Sequence, residues 1–506
     1  MVYKDCTAKL VINRKLGASI KVESSVKQGC CLSPLLFALY LEPFCLKIIK
    51  SQSIRGFIYA GIETRVLAYA DDVAIFCRDT ESVNNTMKEV VSFCAATGSV
   101  VSWTKCLGLW HGSWTQVPEY FCNMNWSVTP GKYLGVPLQH YRDSAAYWIE
   151  EVKRVKDETE KWGGHNFSMF SRASVCNLFL VAKVYYVLQV LCMARISVQK
   201  LHRVFAVYIW GSTWERTSRC NLFHSVKNGG LGLTHLFLKQ IVSRFFFLRD
   251  QSDIFLRTVI QVRLSSSLPE WVVSSTNERT RTPTGFLREV VMSFSLLKAH
   301  FSNEFLTSVT RKKLYSDLVD VFLPHPVYRM MYNLGPERNV LKRVRKMPVR
   351  SSAKTFFQLH SGTLLVKPWL QSKGFFVPWS VNCIICRKPE TIEHIFLDCH
   401  DSVFLWDVLK RTLKKDLPLS PFGIRFLPCA DTGGVPADLI MLLCMSSVWK
   451  TRMDVRNARV DERSAREHLN ESLRYTRDVL KHMIEPPEWF LELDTLVSVI
   501  SSLSAF

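Results

Sequence analysis

Residues 66–77 read Val66-Leu67-Ala68-Tyr69-Ala70-Asp71-Asp72-Val73-Ala74-Ile75-Phe76-Cys77. The wider stretch, 58–77, alternates and carries β-branched residues, the pattern of two strands around a tight turn at Ala70-Asp71-Asp72. Adjacent carboxylates at such a turn repel one another and add nothing to packing. They make sense when a divalent cation neutralises them. Mg²⁺ prefers carboxylate oxygens and leaves room for phosphate oxygens, which phosphoryl transfer requires. A solvated Asp-Asp turn is the plain alternative, and the neighbouring sequence decides between them.

Working outward, Ser33-Pro34 reads as a helix start, with Ser33 as N-cap and Pro34 at the first helical position. A helix over 35–50 follows. Residues 81–97 form another, with Val83, Met87, Val90, Val91 and Cys94 on one face and Gly98 as its stop. Short strands are expected at 100–103 and 133–138. From residue 142 the pattern turns helical. Asp143 can cap a helix striped by Trp148, Val152, Val155 and Trp162 and ended by Gly163-Gly164. Helices over 171–194 and 197–210 complete a three-helix bundle beside the α/β unit. Asn228-Gly229-Gly230-Leu231-Gly232 lacks a P-loop Lys and reads as a structural turn before an apolar helix. Residues 265–284, rich in Ser, Thr and Arg, read as a linker, and 401–506 as helical. The fold class is α+β.

The segment Val26-Lys27-Gln28-Gly29-Cys30-Cys31-Leu32-Ser33-Pro34-Leu35-Leu36-Phe37, followed by Tyr69-Ala70-Asp71-Asp72, resembles the reverse transcriptase domain of LINE-type (non-LTR) retrotransposons. Residues 98–105 and Tyr133-Leu134-Gly135-Val136-Pro137-Leu138 continue the likeness; the latter is similar to the family's primer-side hairpin. The resemblance implies a partial palm (antiparallel sheet with helices) over 1–140 and a helical thumb and post-thumb segment over 141–250. It implies Asp71 as a Mg²⁺ ligand with Asp72 its partner, Gln28, Gly29 and Tyr69 at the template–nucleotide site, and Lys105 as proton donor to the leaving pyrophosphate. Cys31 stands where the family has Pro, Ser25 where it has Gly, and Ser102 where it has Asn. The family's first catalytic Asp lies on a strand upstream of the Gln-Gly loop. Only Asp5 and Glu23 precede Gln28 here, so the expectation is an N-terminally truncated domain. Two-metal catalysis needs a second strand to supply carboxylate, because the ions are held together about 3.5–4 Å apart.

Cys383, Cys386, His394 and Cys399 follow the spacing C-x2-C-x7-H-x4-C. Four N/S ligands suit a closed, structural, tetrahedral Zn²⁺ site. Residues 390–399 could present His394 and Cys399 from one short helix. The spacing, with Glu393 beside His394, is also similar to the Cys-His motif downstream of the reverse transcriptase in LINE-type proteins. Arg338, Lys342, Arg343, Arg345, Lys346 and Arg350 lie in a segment with no acidic residue and can contact phosphates; the alternative is a solvated helix face. The implied division is a linker and basic helical region over 251–380, a zinc module over 381–410 and a helical tail over 411–506.

Over 506 residues, 65 Lys and Arg against 44 Asp and Glu give a net charge of +21. A chain that basic is expected to meet a polyanion, nucleic acid before a membrane surface. Its 48% apolar and 22% charged residues exclude a mostly disordered chain. The 16 Cys are scattered, and residues 1–16 have no apolar core of the signal-peptide kind. They read as reduced thiols of a nuclear or cytoplasmic protein, not a secreted one. The most apolar stretch, 176–193, carries Lys183, and 439–449 is too short to span a bilayer. The expected function is RNA-directed DNA polymerisation with RNA template, DNA primer or target, dNTP and Mg²⁺. The alternative is a non-catalytic nucleic-acid-binding remnant.

Overall fold

The computed structural model describes residues 7–22, 30–112, 114–129, 131–138, 144–273, 282–325, 340–349, 352–377, 380–428, 433–457 and 463–502. Asp5, Glu23, Ser25, Gln28, Gly29, Asp143, Arg338 and Arg350 lie outside them. Two compact units are present: one of Met1–Asp143 with Phe245–Leu296, the other of Ser144–Arg244 with Leu297–Phe506.

The first unit starts with the hairpin β1 (Thr7–Ile12) and β2 (Lys15–Lys21), followed by α1 (Ser33–Lys50). The N-cap of α1 is Leu32, not Ser33. Leu32 already has helical dihedrals and the Ser33 N–H bonds the Cys30 carbonyl (3.2 Å), so Ser33 sits inside the first turn. The expected strand pair over 58–77 is two hairpins. β3 (Phe57–Tyr59) pairs with β4 (Ile62–Thr64), and β5 (Val66–Tyr69) with β6 (Asp72–Ile75). Between these hairpins, the Arg65 guanidinium caps the C-terminus of α1. Its Nη1 donates to the carbonyls of Ile49 (2.6 Å) and Ser51, groups that no helical N–H can reach. Phe44, Cys45, Ile48 and Ile54 form the core here, packed against Leu41, Val66, Val73, Ile75, Val90 and Phe93. One apolar face of the β5–β6 hairpin is thereby fixed on α1.

α2 (Thr80–Thr97) has the boundaries its sequence dictates. Asp79 accepts from the Ser82 N–H (2.8 Å) at one end, and Gly98, at φ 72°, closes the other. The strand expected over 100–103 is absent. Val100 is almost fully exposed, and a 3₁₀ turn covers Trp103–Lys105. β7 (Leu107–Leu109) pairs in parallel with β8 (Asn125–Ser127), and β9 (Lys132–Tyr133) pairs with β10 (Val136–Pro137). All five sheets among the described residues are two-stranded, so the antiparallel sheet expected from sequence takes the form of separate small pairs.

The second unit is helical. Ser144–Gly163 buries Trp148 and Val155, with the Trp148 indole donating to the Cys192 carbonyl (2.6 Å). The next helix runs Met169–Val175, then through a π turn at Cys176–Val181, then Ala182–Leu188; it ends earlier than the expected residue 194. Arg195–Trp210 ends at Gly211 in the left-handed conformation. Beside it His202 and His235 meet ring to ring at 4.6 Å, with Phe223 against both. His202 Nε2 accepts the Leu236 N–H (3.1 Å) at the start of Leu236–Arg249. A ring that accepts there must be neutral. Burial depresses His202 to about 2 and His235 to about 4.

Both values lie below the unfolded 6.5. The stabilisation from the neutral rings is therefore fully present above about pH 6.5 and is lost as pH falls toward the folded values. Each proton taken up only by the unfolded chain contributes a slope of about 1.4 kcal/mol per pH unit. His202→Gln, which can still accept the Leu236 N–H, should reduce the slope of urea-unfolding stability between pH 7 and 5 by roughly one proton. An unchanged slope would show that this pair does not set the acid sensitivity.

Candidate metal and nucleic-acid sites

The hairpin β5–β6 brings Tyr69 directly opposite Asp72 and leaves Ala70 and Asp71 as its two-residue turn. Ala70 has φ 50°, a left-handed conformation that costs a residue with a Cβ about 1–2 kcal/mol. The anchored apolar face of the hairpin holds this strain in place. Tyr69, Asp71 and Asp72 all face solvent. The β9–β10 hairpin lies close by. Burial raises the Tyr133 hydroxyl above its ordinary range, and the negative charge of Asp72 adds to that. Its turn residues Leu134 and Gly135 both have positive φ. Lys105 ends an exposed 3₁₀ turn. Two exposed carboxylates on one turn suit Mg²⁺, which binds through one or two carboxylates plus substrate phosphates. Among the described residues, no cluster of three ligand-bearing side chains includes either one.

The Cys/His cluster is assembled more completely. The ligand atoms of Cys383, Cys386, His394 and Cys399 all lie within 4.8 Å of one another. Cys399 Sγ is 3.9 Å from Cys383 Sγ and 3.6 Å from Cys386 Sγ. Sulfur ligands on a tetrahedral ion with Zn–S bonds of 2.3 Å stand about 3.8 Å apart, so these spacings fit. The first Cys pair spans a turn with Arg387 at φ 57°, closed by the Arg387 N–H on the Cys383 carbonyl (2.9 Å). His394 opens a π turn, His394–Asp398. Cys399 lies just past it, at the N-cap of His400–Leu413, and not on the same helix as expected. His394 Nε2 is buried with no hydrogen-bond partner among the described residues. Burial, reinforced by Arg452, also lowers its pKa, keeping the imidazole in the neutral form that ligates. Burial pushes the Cys399 thiol up to about 12. A bound cation reverses that preference, because a coordinating thiol is deprotonated outright.

Sequence reasoning missed the residue that completes this cluster. Arg452, on Ala437–Arg456, donates from Nη2 to Cys399 Sγ (2.6 Å) and from Nη1 to Cys383 Sγ (3.5 Å). Its Nη2 also stands 3.5 Å from Asp401. Three thiolates and a divalent ion carry a net charge of −1, which a buried guanidinium balances. A turn further along, Arg456 meets the buried Glu390 at 2.5 Å, and Lys367 reaches the same carboxylate at 3.5 Å. Glu393 pairs with Arg425 (2.8 Å). No sequence spacing links Arg452 to the ligands, and it shares its helix with other charged residues, Asp438, Lys450, Asp454 and Arg456, so the sequence does not single it out.

In the basic segment, the helix Val340–Lys346 faces Lys342, Arg345 and Lys346 to solvent. Arg343 does not join them. It lies 3.3 Å from the buried Asp438 and donates to the Leu427 carbonyl, which places it among the packing contacts instead of on a phosphate-facing surface. The Asn228–Gly232 segment is a structural turn. A Cβ on Gly230 would stand 2.1 Å from the His224 carbonyl oxygen, so only Gly fits.

Arg452→Met should weaken Co²⁺ binding at the cluster about 10–100-fold, the usual effect of losing an outer-shell partner. The thiolate-to-cobalt charge-transfer band under chelator competition measures it, with Arg452→Lys restoring part of the affinity. Equal affinities in all three chains would remove Arg452 from the site.

Among the described residues, no helix is long and apolar enough to cross a membrane. A model of the family described as reverse transcriptase (RNA-dependent DNA polymerase) matches residues 2–138. The Transposon TX1 uncharacterized 149 kDa protein of Xenopus laevis is 29% identical over 261 residues, 49% of this chain and 20% of that protein. The chain thus spans about a fifth of the length of this curated relative. The segment 2–138, which carries the paired aspartates at the turn of its hairpin, is thus similar to the reverse transcriptase family, and about half of the chain is similar to part of a transposon protein.

Proposed function

We propose that the chain binds an RNA template paired with a DNA primer or target and carries part of a two-metal nucleotidyl-transfer site. The observation that supports this best is the Tyr69–Asp72 hairpin lying within the family-matched segment, its carboxylates exposed at a strained turn. On this reading the segment 1–140 is a partial palm, and the helices that follow over 141–250 are the thumb. Asp71 and Asp72 hold Mg²⁺, and Tyr69 lies beside the incoming dNTP. Gln28 and Gly29 line the template–nucleotide site, and Lys105 returns a proton to the leaving pyrophosphate. When bound, Mg²⁺ supplies charge neutralisation of the phosphates and activation of the primer hydroxyl. The Cys/His cluster holds Zn²⁺ in a structural role, since all four of its ligands come from the protein.

A second reading, a nucleic-acid-binding protein without polymerase activity, is favoured by one specific observation. The two aspartates share one turn, whereas clamping two ions requires a carboxylate from another strand. The net charge of +21 and the exposed Lys342, Arg345 and Lys346, with Arg338 and Arg350 flanking them in sequence, support binding under either reading.

Primer extension on poly(rA)/oligo(dT) with Mg²⁺ separates the two. The purified chain should bind this substrate but not extend it processively. Extension that Asp71→Ala abolishes would establish a complete active site in this chain. Binding should weaken steeply with salt, and the triple variant Lys342→Glu, Arg345→Glu, Lys346→Glu should reduce the slope of log K against log salt by about 2–3. A slope that the triple variant leaves intact would place the phosphate contacts elsewhere.

A further inference from the structure

We propose that His224, Asp320 and His325 form a second metal site, separate from the Cys/His cluster and selective for a borderline divalent ion of the Zn²⁺ class. Each offers one ligand atom, and the three atoms lie within 4.8 Å of one another. The residues come from distant parts of the chain: His224 from the segment that leads into the glycine turn, Asp320 from the last turn of Arg311–Phe322, and His325 from just beyond that helix. The proposal does not depend on the polymerase reading.

The geometry is that of ligands around an ion more than that of a hydrogen-bonded pair. His224 Nδ1 and Asp320 Oδ1 are 4.0 Å apart, beyond hydrogen-bond distance. Ligand atoms on a tetrahedral ion with bonds near 2.0–2.1 Å lie about 3.4 Å apart, so closure by roughly half an ångström brings the two onto one ion. The rings of His224 and His325 are 5.3 Å apart between centroids.

The outer contacts fit as well. His224 Nε2 is 2.9 Å from the Pro324 carbonyl. A carbonyl only accepts, so Nε2 carries the proton, and a neutral ring then has its lone pair on Nδ1, the atom facing Asp320. A backbone carbonyl fixing the tautomer in this way is the usual second contact of a metal-bound His. The His224 ring is fully buried and its main chain is held by the Gly232 N–H on its carbonyl (2.8 Å). Asn228 Nδ2 lies 3.4 Å from Asp320 Oδ1, steadying the carboxylate from the same loop. Asp320 and His325 are exposed, which leaves a path for the ion and room for water in a fourth position. Two imidazoles and one carboxylate suit Zn²⁺ better than Mg²⁺ or Ca²⁺, which prefer oxygen. Bound there, the ion would clasp the glycine loop to the end of the Arg311–Phe322 helix.

The test is metal stoichiometry on the full chain, stripped with chelator under reducing conditions and equilibrated with buffered Zn²⁺ alone. Two equivalents per chain are expected. His325→Ala and Asp320→Asn, both at exposed positions, should each reduce this to one equivalent. The thiolate-to-cobalt band of the Cys/His cluster should be unchanged in both, and His325→Cys should restore the second equivalent. A wild-type chain that takes up a single equivalent, or two equivalents unaffected by His325→Ala and Asp320→Asn, would overturn the site.

Discussion

The buried guanidinium of Arg452 is the contact on which the C-terminal half depends. It joins the ligand-bearing loop to Ala437–Arg456, a helix buried along most of its length. An arginine at that depth is costly unless its charge is answered, and the answer lies in the sulfur atoms of Cys383 and Cys399 with the Asp401 carboxylate. The dependence is mutual. Thiolates bound to one divalent ion retain a negative charge that an apolar wall alone would disfavour. The metal-ligating loop is therefore not an appendage. Ile395 and Phe396 are fully buried beside the ligands, and the Trp406 indole donates to the Phe396 carbonyl (2.7 Å), so the loop is packed into the helices as well as coordinated.

The N-terminal unit solves a different problem: how to hold two carboxylates in solvent on a rigid turn. Its solution is apolar. Val66, Val73 and Ile75 seat one side of the hairpin on Phe44 and Ile48 of α1, and Arg65 ties the base of the hairpin to the end of that helix. Preorganisation of this kind is what metal and phosphate chemistry needs, because ligands that must be ordered on binding reduce affinity by the entropy lost.

Much of this could be read from residues alone where the signal was local. The aspartate turn, the stop of α2 at Gly98, and the convergence of Cys383, Cys386, His394 and Cys399 all follow from spacing and cap chemistry. What could not be read depended on partners far along the chain. Arg452 finds Cys399 across 53 residues, and His224 reaches the Pro324 carbonyl across 100. Arg343 looked like one more member of a basic run until Asp438 came to meet it. Val100-Val101 suggested a strand by propensity, yet no neighbouring strand pairs with it among the described residues, and β propensity is mostly a preference for a packed, pleated surface. Ser33 had the right chemistry for a cap one position too late, because Leu32 had already turned into the helix.

The π turn at Cys176–Val181 bears on how the helix containing it tolerates change in length. Such a turn accommodates one residue more than an α-helix would between the same two faces. Before it, Met169, Phe170 and Ala173 point into the core; after it, Val184, Val187 and Leu188 do. Deleting one residue within it would restore regular α-helical hydrogen bonds and keep those two faces in register, whereas deleting one from the regular helix on either side would rotate everything downstream by about 100°. Val184 and Leu188 would then leave the core. The six residues of the turn are therefore the place in this helix where a loss of length is tolerable.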